Sequence, residues 1–371
     1  MKKIKVLIVA ADPAAGMVPF VVTIANTLAA DERFDIYAIV TDSEKLSYTK
    51  NLNDNINIQS IKYPTSALKK FIFKLYAKNL FKILNNSIKR IRPDVIHFMV
   101  GDFIFASYNI KRSDLYDKIC VTIHDLHPHE IKRYSFNEWI IDKIIILGRR
   151  KVISNIKYLT TSSLSQFYEL KKIYPSKNVC FTHFPSLVTS AIENGTKVVK
   201  ELVNVNKYIL FFGAVVKYKG VDLLISAFSS IQNTNGVKLV IAGKGDGYES
   251  DNPNIIRLNR FIEDEEIADL FKNALFVVYP YISATMSGVL SLAYYFHKRV
   301  LLSDIPFFKD NETPSCTFFQ NGNVDDLKEK IELLFEQDFN LFTNDYYSSI
   351  YSDKVLTDDY FALYNKIMNG D

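Results

Sequence analysis

Two lysines and a run of small residues are the groups in this chain whose types and spacing suit chemistry on an anion. The segment FFGAVVKYKGVDLLISAF, residues 211–228, reads as a strand, a glycine turn, a loop carrying Lys217 and Lys219, and Gly220 opening an amphipathic helix. A helix N-terminus beside two ammonium groups suits a phosphate, because its unpaired N–H groups and the helix dipole favour negative charge. A solvated loop accounts for the same residues. IAGKGDG, residues 241–247, is a second strand followed by a glycine-rich turn. In VVYPYISATMSGVLSLAYYFHKRVLLSD, residues 277–304, Ser283, Ala284, Thr285, Ser287 and Gly288 stand between a strand and a helix. Small residues there let a backbone approach a ligand closely, and tight strand-to-helix packing needs them equally. Earlier in the chain HDLHPHE gathers His124, His127, His129 and Glu130, but not at the helical H-x-x-x-H spacing, so no metal is expected.

These segments need strands that end where they begin. Apolar runs alternate with helical patterns along the whole chain, which predicts parallel sheets covered by helices on both faces. The predicted strands of the first half are Lys5–Ala10, Phe34–Val40, Val95–Met99, Val121–Ile123, Tyr158–Thr160 and Val179–Thr182. The rhythm restarts at Tyr208–Phe212, with strands at Lys238–Ala242, near Ile255, at Leu275–Tyr279 and at Val300–Ser303, and helices from Val221 and over Val324–Gln337. SAIENGTKVVKELVNVN between the halves has no long apolar run and reads as a linker. Ligands of such folds sit at the carboxyl ends of the strands, where loops enter helices.

Composition narrows the class. A chain of 371 residues with 48% hydrophobic and 23% charged residues holds two ordinary domains and is no disordered tail. The three cysteines are far apart and form no C-x-x-C pair, so neither a disulfide framework nor a zinc module is expected, and a reducing compartment is the simplest setting. The opening MKKIKVLIVA imitates a signal peptide, but Asp12 ends the apolar run early and a first strand is expected instead. No apolar stretch approaches the roughly 20 residues that span a bilayer. The net charge of +4 divides unevenly: residues 1–186 hold 28 Lys+Arg against 16 Asp+Glu, and the remainder holds 17 against 25. Two domains with different partners are expected.

Residues 61–92 carry nine Lys or Arg and no acid. Lys70, Lys74, Lys78 and Lys82 recur every four residues, a helical stripe that drifts only about 40° per step, bordered by Phe71, Leu75 and Phe81. A helix lying on an anionic membrane surface has this pattern. So does a solvated helix face whose apolar side packs into its domain. Nucleic acid is not expected, since no recognition module accompanies the charge.

In order and spacing these pieces resemble the retaining glycosyltransferases of the GT-B fold, specifically family four, the glycosyl transferases group 1. That family reads Phe-x-Gly-Arg, a loop, Lys-Gly, a helix, then Ile-Ala-Gly-x-Gly; here stand Phe211–Gly213, Lys219-Gly220 and Ile241–Gly245. NRFIEDEEI (259–267) and ADLFKNALFVVYPY are similar to its next loop, helix and strand, and ADPAAG, RPDVIH and VTIHDLHPH to its first half. The resemblance covers almost the whole chain. It implies two Rossmann-like, doubly wound α/β domains facing a central cleft. It further implies sugar transfer with retention from a nucleotide diphosphate sugar, UDP or GDP linked, with no cofactor and no obligatory metal. His124 matches the histidine that contacts the donor sugar and Lys219 the catalytic loop lysine. Gly16, Gly213, Lys217, Gly243, Arg260, Ser283, Ala284, Thr285, Ser287, Gly288 and Val289 fall on donor-binding positions. Many relatives extend lipid-linked glycans at the cytoplasmic leaflet, so the resemblance favours a lipid-linked acceptor, an anionic membrane facing the lysine stripe and a cytoplasmic, peripheral location.

Two departures qualify the match. The family's paired donor-site Glu residues fall on Ala284 and Leu292, and its loop arginine on Ala214. A subset of the family carries Ser-Ala-Thr-x-Ser-Gly-Val in place of the first Glu, and SATMSGV resembles that subset. The expected activity is therefore glycosyl transfer in surface polysaccharide synthesis, with a non-catalytic GT-B binding protein and a sugar-nucleotide epimerase as competitors. The expected domains are 1–186 for the acceptor, a linker over 187–206, 207–355 for the donor, and a helix over 356–371 crossing back.

Overall fold

Thirteen strands, named β1 to β13 in chain order, form two parallel sheets in a computed structural model that describes residues 2–11, 16–66, 69–70, 72–73, 78–100, 113–126, 143, 147, 153–337 and 345–371. The chain divides into one unit of Met1–Pro185 with Asp353–Asp371 and a second of Ser186–Ser352.

The first unit holds β1 (Ile4–Ala10), β2 (Phe34–Asp42), β3 (Asn57–Lys62), β4 (Val95–Val100), β5 (Ile119–Thr122), β6 (Tyr158–Thr161) and β7 (Asn178–Phe181), in the order β3-β2-β1-β4-β5-β6-β7. Val6, Leu7 and Ile8 pair with Ile36–Ala38 on one side and Val95–His97 on the other. A strand paired on both edges and covered on both faces is a near-continuous apolar run, as β1 and β4 are apart from Lys5 and His97. One face is covered by Met17–Ala30, through Val21, Ile24 and Leu28, and by the C-terminal helix Asp353–Asn369, through Tyr360, Leu363 and Ile367. Leu84, Ile88 and Ile91 of the helix Lys78–Ile91, with Leu170, cover the other face.

The second unit holds β8 (Tyr208–Phe212), β9 (Lys238–Ala242), β10 (Ile255–Leu258), β11 (Ala274–Tyr279), β12 (Val300–Ser303) and β13 (Cys316–Phe319), in the order β10-β9-β8-β11-β12-β13. Strand order reverses between β1 and β4 in one sheet and between β8 and β11 in the other. Such switch points open a crevice at the carboxyl ends of the strands.

The sequence differs from the structure in three places. β3 and β13 went unpredicted because both are half-exposed edge strands: polar residues break the pattern of β3, and β13 is only the four residues Cys316–Phe319. The stretch expected as a linker is packed into the second unit, with Ile192, Val199 and Leu202 in its core. Its apolar residues form no long run, and exposed Val198 and Val203 stand beside the buried ones. The last helix starts at Asp353 and belongs to the first unit. Of the basic stripe, Lys70 and Lys82 are exposed, Lys78 opens its helix, and Lys74 lies outside the described residues with Phe71 and Leu75. The apolar side of Lys78–Ile91 faces the domain, where Leu84 and Ile88 line a small apolar cavity with Phe98 and Leu115. Among the described residues no helix is long and apolar enough to cross a membrane.

Candidate active site

In the second unit the loops after β8, β9 and β11 meet with almost no space between their backbones. Gly213 has φ +130°, and a Cβ there would stand 2.9 Å from the Lys219 ammonium. Gly243 has φ +148°, and a Cβ there would stand 2.0 Å from the Gly213 carbonyl. Gly220, left-handed at φ +63°, abuts the Pro280 carbonyl in the same way. Only glycine fits such approaches. A backbone bond from Ile282 to the Tyr218 carbonyl (2.8 Å) fastens the loop after β8 to the loop after β11.

Lys219 is the charged group this packing encloses. Its side chain is 9% exposed, its ammonium lies 5.2 Å from the centroid of the Tyr281 ring, and among the described residues no carboxylate accompanies it. Burial pushes its pKa below the usual lysine value. A buried cation without a partner is costly, and an anionic ligand at the β8/β11 switch point would remove that cost. Lys217 is exposed beside it.

Ser283 is exposed, and Ala284, Thr285 and Ser287 are half-buried on the loop from β11. Gly288 precedes the helix Val289–Tyr295, and a Cβ there would strike Leu187 at 2.5 Å. Packing alone therefore requires a glycine at 288. Leu292 is 1% exposed in the core, so the position of the second expected carboxylate is an apolar contact. Arg260 bonds Glu266 (2.7 Å) and Glu201 (2.8 Å), so its guanidinium is already balanced by two carboxylates where a donor contact was expected. The pairing raises its pKa and lowers those of both acids.

In the first unit the β1/β4 switch point lies beside Gly16 and His124. Gly16 is exposed at the start of Met17–Ala30, and among the described residues a Cβ there would meet nothing within 4 Å. His124 follows β5. Its Nε2 lies 2.6 Å from the Met99 carbonyl of β4, and its ring stands edge-on to Phe20 at 4.9 Å. Because a carbonyl only accepts, Nε2 carries the proton. His97, fully buried on β4, bonds Tyr364 of the C-terminal helix (2.9 Å) and Thr122 (2.8 Å). Burial and the neighbouring His124 pull its pKa down to about 3. His127, His129 and Glu130 lie outside the described residues. The sequence passed over Tyr281, His97 and Gln166, whose spacing shows only ordinary core or helix-start positions.

Residues 193–347 match the family model described as glycosyl transferases group 1. No curated protein matches the chain. Among solved structures, sucrose-phosphate synthase from Thermosynechococcus elongatus superposes with a TM-score of 0.71 at 12% identity over 100% of both chains. Anabaena HepE in complex with UDP and glucose gives 0.68 at 13%, over 98% of this chain and 100% of that one. A glycosyltransferase from Rickettsia africae gives 0.65 at 13%, over 100% of both. At such identities the likeness concerns the fold, while the matched segment includes the buried lysine, its glycine neighbours and the loop after β11. Residues 193–347 thus form a glycosyl transferases group 1 domain, in a chain whose two parallel-sheet Rossmann-like units have the GT-B fold.

Proposed function

We propose that this chain is a retaining glycosyltransferase that moves a sugar from a nucleotide diphosphate sugar, UDP or GDP linked, onto a lipid-linked glycan in surface polysaccharide synthesis. The observation that carries this reading is Lys219, buried at the β8/β11 switch point with no carboxylate partner among the described residues. As the glycosidic bond breaks, negative charge grows on the departing diphosphate, and a fixed ammonium in a desolvated site stabilises it without reorganising. Lys219 takes that role, Lys217 adds charge at the rim, and the amides of Ser287, Gly288 and Val289 take the remaining diphosphate oxygens. Gly213 and Gly243 serve the donor's phosphates by letting the loops after β8 and β9 close on each other beside Lys219, and Ser283, Ala284 and Thr285 face the donor. The resemblance gives His124 the transferred sugar and Gly16 the diphosphate. On this reading the second unit takes the donor and the first the acceptor. HepE, solved with UDP and glucose, makes UDP the donor nucleotide to try first.

The exposed Lys70, Lys82, Lys89 and Arg90 support docking on an anionic cytoplasmic membrane surface, here by charge, since the apolar side of Lys78–Ile91 is used within the domain. One observation favours a second reading, a GT-B protein that binds without turnover: Ala284 and buried Leu292 stand where carboxylates would line a donor site. A thermal-shift screen of UDP, GDP, CMP and their sugar conjugates separates the two, followed by nuclear magnetic resonance of the product's anomeric configuration. A shift with one nucleotide diphosphate that is lost in Lys219→Met, and transfer with retention, is the expected result. Binding without transfer favours the second reading, and no binding at all refutes both.

A further inference from the structure

The helix Leu164–Ile173 opens with Ser163-x-x-Gln166, the spacing in which the side chain at the third helical position turns back to its own N-cap N–H. Here it does not turn back. Ser163 caps the helix by accepting from the Gln166 N–H at 3.4 Å, while the N–H of Ser163 goes to Thr161 Oγ1 at 3.3 Å. The Gln166 side chain, only 6% exposed, turns to the backbone beyond β5. Its Oε1 accepts from the Leu126 N–H at 2.6 Å, and its Nε2 donates to the His124 carbonyl at 3.0 Å and to Thr161 Oγ1 at 3.3 Å.

That placement answers a backbone need. The bonds between β5 and β6 end with Ile123 N–H on the Thr160 carbonyl at 2.7 Å. Beyond it the chain leaves the sheet, and the polar groups on either side of Asp125 need other partners. Gln166 supplies both from one planar amide, as a further strand would. The imidazole is fixed at its other end by Met99 and Phe20.

We propose that Gln166 is a positioning residue that fixes the backbone carrying His124 and so the orientation of its imidazole. The proposal rests on the role given to His124 above. Glutamine suits the task because the site needs a donor and an acceptor in one plane: leucine offers neither, and an ionised glutamate offers only acceptors.

The test uses the full chain with isotope-labelled histidine, with the His124 signal among six assigned through His124→Ala. In folded Gln166→Leu the His124 ring signals should lose the signature of a proton held on Nε2. Turnover of the donor found in the nucleotide screen should fall by about 10²-fold in kcat, the cost of a misplacement near 1 Å, with little change in its KM. Gln166→Glu keeps the volume and the Leu126 bond, so it serves if the leucine variant does not fold, and its activity relative to wild type should recover as acid restores a donor proton. Unchanged His124 ring signals in either folded variant would overturn the proposal. If His124→Ala retains turnover while Gln166→Leu still moves the ring, the positioning stands and the role given to His124 falls.

Discussion

Replacing Lys219 with methionine should stabilise the unliganded protein and at the same time weaken nucleotide binding. The side chain is buried, has no carboxylate among the described residues, and has a lowered pKa, so the fold holds a charge it disfavours. Burying a polar group without compensation costs about 1–3 kcal/mol in mutational series. An uncompensated charge costs more than that, and the Tyr281 ring returns about 2 kcal/mol in a desolvated site, leaving a gain on the order of 1 kcal/mol for a methionine of similar length. For a unit the size of residues 186–352, that is a rise of about 2–4 °C in melting temperature. Ligand acts in the opposite sense. At 100 times its Kd a nucleotide stabilises wild type by about 2.7 kcal/mol. Losing a charge-assisted bond of about 2 kcal/mol weakens binding roughly 30-fold and leaves less than about 1 kcal/mol at the same concentration. The pH dependence has a definite sign. Between the lowered folded pKa and the ordinary lysine value of 10.5 the unfolded chain binds more protons, so wild-type stability rises with pH and the advantage of the variant shrinks. Differential scanning fluorimetry of both proteins, with and without nucleotide and across alkaline pH, measures all three effects. A lower melting temperature for unliganded Lys219→Met, or an undiminished nucleotide shift, would refute the reasoning.

Other parts of the molecule give further tests. His124→Ala should fold, as judged by an unchanged cooperative melt, and lower transfer strongly; wild-type turnover would remove it from the site. Wild type should float with anionic liposomes at moderate salt and a Lys70/Lys74/Lys78/Lys82→Glu variant should not, whereas equal recovery would end the membrane reading. Arg260→Leu should destabilise the second unit by about 1–3 kcal/mol, because Glu266, almost fully buried, loses its counter-charge. Glu266 has a lowered pKa, so its contribution is present above the ordinary value of 4.5 and is lost as pH falls; melts of wild type and variant should therefore converge in acid. A constant gap down to low pH would show that the ion pair is not its source.

Most of the fold was legible because the central strands carry their signal in residue type. β1, β4, β8, β9 and β11 are apolar runs buried on both faces, and the glycine turns after β8 and β9 mark where they stop. The edges were less legible. β3 reads Asn-Ile-Gln-Ser-Ile-Lys, an edge sequence whose polar residues look like loop. Residues 187–206 were misplaced for a related reason: Val199 and Leu202 are core residues, but they sit on one short turn of helix beside exposed Val198 and Val203, with no long apolar run to mark them.

The site divides along a different line. Residue type announces a lysine beside a glycine turn, but only packing shows whether anything neutralises it, and that distinction separates Lys219 from Arg260. Both were expected at the donor. One is buried with no carboxylate among the described residues, the other is balanced by Glu201 and Glu266, of which Glu201 lies 59 residues away. Gln166 is the converse case. Its Ser-x-x-Gln spacing announces a helix start, and nothing local reveals that its amide serves His124, 42 residues earlier. A side chain that forgoes its nearest partner for a distant one gives up local stability. The gain must then lie in the geometry it fixes, and here that geometry is the backbone of His124, whose ring bonds the Met99 carbonyl of β4.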